Sequence, residues 1–133
     1  MSDELGKEDY HQIIRTYFTA FSTKDFTPVK FSPNIEFLSP ISGNTMKGTE
    51  DVKNFVQGVS ARVEKVEIMD TTVDFPTASG VWQMTTTKGV VYTLNNFFRL
   101  DAEGLLYIWP MFDPKAVMND PPGLLAWLTG KNY

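Results

Sequence analysis

Two side chains in the last third of the sequence could do chemistry together. Val90, Tyr92, Leu94, Asn96, Phe98 and Leu100 share one parity, so a strand over residues 90–100 sets a single amide in an otherwise apolar face. An amide so placed needs partners. A cavity holding a ligand or water supplies them more naturally than a packed core; the alternative is a strand-edge amide bonded to neighbouring backbone. Asp113 shares parity with Trp109 and Met111 in the apolar segment that follows. A carboxylate buried near aromatics has its pKa raised toward values useful for a general base. The competing account is structural, because Asp113-Pro114 is also a helix cap followed by a first-turn proline.

The elements that must position these groups form a hairpin. Asp101-Ala102-Glu103-Gly104 supplies the turn, with Gly104 suited to a positive-φ position. Residues 105–112 make the return strand. Pairing Leu100 with Leu105 brings Phe98 opposite Tyr107 and Asn96 opposite Trp109, with Met111 and Asp113 farther along that face. Phe98, Trp109 and Met111 are then candidate ligand-lining residues, and Trp82 and Tyr107 candidate wall. On the reverse face, Phe97 joins Leu106, Ile108, Pro110 and Phe112. A face that apolar calls for a cover, and a homodimer through the sheet is the expected one.

Earlier in the chain, Tyr10, Ile13, Ile14, Tyr17, Phe18 and Phe21 recur at spacings of three and four, predicting an amphipathic helix over 8–22. Thr27-Pro28 predicts one short helical turn to Phe31, broken by Ser32-Pro33. A short strand is expected at 35–38 and a loop at 39–44. Thr49 then caps a second helix with the stripe Val52, Phe55, Val56 and Val59. From Val63 the period becomes two, predicting strands at 63–75, 81–87 and 90–100 before the return strand, with turns at 76–80 and 88–89. The layout is α+β, with helices on one face of a curved antiparallel sheet.

The totals bound the partners. A chain of 133 residues with 42% apolar content is expected to be one domain over 1–133, its core at about 8–114 and a tail at 115–133 with a short helix. The apolar run Leu124, Leu125, Ala126, Trp127 and Leu128 requires that tail to dock, over the mouth of the protein's own cavity or on a partner. A net charge of −4 without a basic run argues against nucleic acid and anionic membrane, and favours a hydrophobic small molecule. No cysteine and one histidine leave little for a metal site, and no cofactor is expected. The start Met1-Ser2-Asp3-Glu4 lacks the basic, apolar pattern of a signal peptide, and no 18-residue apolar run exists; a cytoplasmic location is expected.

The order of elements, with Tyr17-Phe18-x-x-Phe21-x-x-x-Asp25 early and Phe97-Phe98-Arg99-Leu100-Asp101-x-x-Gly104 late, resembles the NTF2-like superfamily, in its SnoaL-like and ketosteroid-isomerase-like branches. The resemblance implies a cone whose interior holds a mostly apolar ligand, and pairing through the outer sheet face. It also implies that Tyr17 is an oxyanion-holding tyrosine and that Asn96 stands at the second oxyanion donor, an aspartate in the isomerases. Ser39, before Pro40, occupies the position of the isomerase base. A serine hydroxyl without an adjacent histidine cannot take a proton near pH 7 as a carboxylate can. The resemblance to the cyclases places an acid/base aspartate late in the final strand, at Asp113.

Two functions follow. In one, Tyr17 and Asn96 hold a developing oxyanion while Asp113 moves a proton beside a carbonyl, giving isomerase, cyclase or lyase chemistry. In the other, the same shape binds an apolar ligand or a partner without chemistry.

Overall fold

The computed structural model describes residues 5–39 and 42–113. Helix α1, Lys7–Thr23, buries the whole predicted stripe from Tyr10 to Phe21. Lys24 ends it in the left-handed region (φ 65°) and donates from Nζ to the carbonyls of Ser60 and Val63 at 2.6 and 2.5 Å. The residue that stops α1 therefore also places a cation on the last carbonyl of the second helix and on the first of the strand after it. That helix, α2 (Thr49–Ser60), buries Val52, Phe55, Val56 and Val59, as their spacing requires. Its cap is Gly48; Thr49 lies inside the helix, with its hydroxyl donating to the Ser32 carbonyl at 3.3 Å.

The short helical turn expected at 27–31 does not form. The Asp25 carboxylate accepts from the Thr27 amide at 3.0 Å and the Thr27 hydroxyl at 2.7 Å, which turns the chain locally. Strand β1, Phe31–Leu38, begins at once, four residues earlier than expected. It accommodates Pro33 because its pairing is irregular between Phe31 and Glu36, where a missing N–H costs no ladder bond. A three-residue strand, β2 (Thr45–Lys47), pairs with it.

Strands β3 (Val63–Asp74), β4 (Thr77–Thr86), β5 (Val91–Asp101) and β6 (Gly104–Phe112) complete a sheet of order β2-β1-β6-β5-β4-β3. The sheet is mixed rather than antiparallel throughout, since β1 runs parallel to β6. Residues 77–80, expected as turn, belong to β4. Register shifts near Val63 and Ile68 in β3 mark bulges, which bend a sheet. Both helices pack on one face, with Phe18 of α1 against Trp82 and Phe55 of α2 against Phe37. Trp82, Tyr17, Phe18 and Phe98 are among the largest fully buried side chains. At about 1.5–3 kcal/mol for each ring removed from water, this cluster is a principal source of stability.

The β5–β6 hairpin begins as expected, with Leu100 opposite Leu105 and Asp101 opposite Gly104. Gly104 has φ 129°, and a Cβ there would strike the Lys30 carbonyl. Beyond the turn, Arg99 pairs with Tyr107, so Leu106 is an extra residue and a bulge. One inserted residue moves every later β6 side chain to the other face. Phe98 therefore faces Ile108 rather than Tyr107, and Asn96 faces Pro110 rather than Trp109. Ile108 and Pro110 are buried on the helix-covered face, while Tyr107, Trp109 and Met111 lie on the outer one with Phe97.

Candidate functional site

The β4–β5 register sets Gly80 opposite Asn96 and Trp82 opposite Leu94, making Trp82 and Asn96 diagonal neighbours on the inner face. The Trp82 indole Nε1–H donates to the Asn96 Oδ1 at 2.9 Å, and both residues are buried, at 2% and 1% exposure. An indole nitrogen can only donate, so the atom facing it must be the amide oxygen. Among the described residues, the Asn96 Nδ2 is buried with no hydrogen-bond partner. A buried donor without an acceptor costs about 1–3 kcal/mol.

Tyr17 approaches the same cluster from α1. Its ring meets Phe98 edge-on at 6.0 Å, and Phe18, Phe21, Phe26 and Phe31 at 5.3–6.3 Å. Burial alone pushes its phenol pKa far above the ordinary value. Tyr17 is thus a neutral donor at any physiological pH. Asn96 and Phe98 share an inner face two residues apart, so the structure brings Tyr17, Phe98 and Asn96 into one cluster. No ionisable side chain other than Tyr17 itself takes part in these ring and amide contacts.

The other candidates lie elsewhere. Ser39 is 2% exposed and committed to the β1–β2 connection: its amide donates to the Asn44 carbonyl at 2.9 Å, and its Oγ accepts from the Ser42 amide at 3.4 Å. Trp109 and Met111, 40% and 37% exposed, stand on the outer face and cannot line a space beside Asn96. Asp113 follows them, exposed, with its backbone amide donating to the Thr93 carbonyl at 3.1 Å. The bulge at Leu106 separates all three from Asn96. Whether a helix follows Asp113, and where the 115–133 tail docks, are questions outside the described residues.

Two contributors escape the spacing argument. Trp82 reads as wall, and Gly80 reads as turn. The turn expected at 88–89 would pair Val81 with Asn96 and put Trp82 on the other face; the observed register, with Thr85 opposite Val91, is what brings the indole to the amide. Three clefts lined by described residues do not include Tyr17 or Asn96. The largest, about 530 Å³, lies between Tyr10, Val73 and Phe75 at the start of α1. Among the described residues, no group of three or more His, Cys, Asp or Glu side chains could hold a metal. No described helix is long and apolar enough to cross a membrane.

Solved structures share this architecture. An NTF2-like protein of unknown function from Cytophaga hutchinsonii superposes with a TM-score of 0.67 at 14% identity, over 89% of this chain and 99% of that one. A hypothetical protein from Catenulispora acidiphila with a ketosteroid isomerase-like fold, in complex with trimethylamine, gives 0.69 at 14% identity, over 87% and 96%. A de novo designed protein with a curved β-sheet gives 0.72 at 18% identity, over 86% and 96%. The fold is NTF2-like. At such identities the likeness carries no activity with it. No curated protein matches the chain. A family model described as "Domain of unknown function (DUF4904)" matches residues 5–133.

Proposed function

We propose that this chain, which belongs to the family described as Domain of unknown function (DUF4904), is a binding protein for a small, mostly apolar molecule bearing a hydrogen-bond acceptor. The Asn96 amide receives that acceptor and the Tyr17 hydroxyl is the second donor. The observation that carries the reading is the buried Asn96 Nδ2, which has no partner among the described residues. Native proteins rarely keep such a group unless something outside the chain completes it. The rings about Tyr17 supply the apolar surface that a small molecule would share.

Binding is favoured over proton transfer because the base that chemistry requires is not with the donors. Ser39 has no histidine to activate it, and Asp113, just past the end of β6, is exposed and follows the outward-facing Trp109 and Met111 in parity. The test is a thermal-shift series on the wild type and Asn96→Leu, using cyclic ketones and the matching hydrocarbons. The ketones should stabilise the wild type more than the hydrocarbons do, and Asn96→Leu should erase the difference. Equal shifts in both proteins would refute the reading. Deuterium exchange at the carbon beside the bound carbonyl, in the same samples, would return the enzymatic alternative.

A homodimer through the outer face belongs to the same proposal. Trp109 and Met111 are exposed there beside Phe97 and Tyr107, with the Arg99 guanidinium 5.3 and 5.8 Å from the latter two rings. Aromatics and arginine in one patch are the composition that interfaces favour.

A further inference from the structure

An amide side chain offers either of two faces. Turned one way it presents N–H donors to a ligand, and turned the other way it presents an acceptor. Which face Asn96 presents is decided elsewhere in the sheet. We infer that Trp82 determines ligand class at this site: by holding the Asn96 oxygen, it commits the amide to ligands with a neutral carbonyl-type acceptor and excludes amines. This rests on the binding proposed above and goes beyond it.

Four residues build the constraint. A Cβ on Gly80 would lie 2.6 Å from the Phe18 ring, so only glycine lets that ring lie against the sheet. Phe18 then stacks on the Trp82 indole, with centroids 4.5 Å apart and planes 15° from parallel. Phe21 closes on the same indole at 5.1 Å. The indole, held on both accounts, points its N–H at the Asn96 Oδ1 at 2.9 Å. Flipping the amide would set Nδ2–H against Nε1–H, losing the one bond and burying two opposed donors. The ligand must therefore bring the acceptor.

Its charge follows from the surroundings. The partners of Tyr17 are phenylalanine rings and the Asn96 oxygen is held by an indole, so no cation balances a carboxylate in these contacts. An unpaired buried carboxylate is far costlier than a neutral carbonyl. A ketone, ester or amide oxygen meets both conditions. An ammonium meets neither.

Cyclohexanone, cyclohexylamine and cyclohexane carboxylate serve as probes of one size, titrated by NMR into the full chain and into Trp82→Phe. The wild type should bind the ketone in preference to the other two, and the Asn96 side-chain amide protons should shift on binding while the Trp82 indole proton stays in place. In Trp82→Phe the amide is free to turn, and the preference for ketone over amine should fall about tenfold, the worth of one hydrogen bond. A ketone preference unchanged in Trp82→Phe overturns the inference and leaves the site standing. So does a ketone that displaces the wild-type indole proton, which can be read even if the variant fails to fold. A wild type that binds none of the probes removes the proposed site, and this inference with it.

Discussion

The Trp82 indole nitrogen and the Asn96 amide oxygen, 2.9 Å apart between β4 and β5, fix which way the buried amide turns. The bond is fully shielded from water, so neither partner can be removed without leaving the other unsatisfied. Trp82→Phe should destabilise the protein by about 1–3 kcal/mol in urea unfolding, and Asn96→Leu by less, because it also removes the unpartnered Nδ2. In the double variant both polar groups go, and the loss should fall short of the sum by about 1 kcal/mol or more. Strict additivity would mean that the bond contributes nothing.

Gly80 and Phe18 are a second coupled pair. Gly80→Ala puts a methyl group where the Phe18 ring lies, and overpacking of this kind costs about 1–3 kcal/mol. Adding Phe18→Leu should recover part of the loss, because the smaller side chain clears the new methyl. Chemical denaturation of the two variants checks this. Gly80→Ala at wild-type stability would show that the contact is not a tight one.

The Tyr17 phenol is neutral in both states at neutral pH, so Tyr17→Phe should change stability there by less than about 1 kcal/mol. Its effect belongs at alkaline pH. Burial raises the folded-state pKa above the ordinary value of 10.0, so the folded state keeps a proton that the unfolded chain gives up. The contribution of the neutral phenol is whole below pH 10.0 and is lost as pH rises beyond it. Tyr10, raised by burial and by Asp101 and Asp9, acts with the same sign. Unfolding titrations at successive pH values should therefore show a steeper alkaline loss in the wild type than in Tyr17→Phe. Parallel curves would contradict the burial of that hydroxyl.

On the outer face, Trp109 stands opposite Phe97 in the β5–β6 ladder and is 40% exposed. If a second copy covers it, Trp109→Lys should leave the far-ultraviolet circular dichroism unchanged and convert a dimer to a monomer in sedimentation. A wild type that sediments as a monomer at high concentration would reject the dimer.

Much of this architecture is legible in the sequence, because periodicity survives translation into structure. Every residue of the stripe from Tyr10 to Phe21 is buried, as is every residue of the Val52 to Val59 stripe. The alternation from Tyr92 to Leu100 also holds, and with it the isolation of Asn96. What fails is anything dependent on counting across a bulge. The turn at Gly104 is legible, yet Leu106 is indistinguishable from any strand leucine, and the slip it introduces carries Trp109, Met111 and Asp113 to the other side. The parallel pairing of β1 with β6 has no local signal at all, since it joins segments about seventy residues apart. Trp82 was recognisable as a large core residue, but its role as a donor depends on a register that only the folded hairpin defines.

The most direct test of the central claim is the proton shift of the Asn96 side-chain amide, followed while a neutral ketone is titrated into the wild-type protein. Binding should move the Nδ2 protons downfield in proportion to occupancy, with Asn96→Leu binding the ketone no more tightly than the matching hydrocarbon. Saturable binding that leaves those protons unmoved would place the ligand elsewhere and contradict the account.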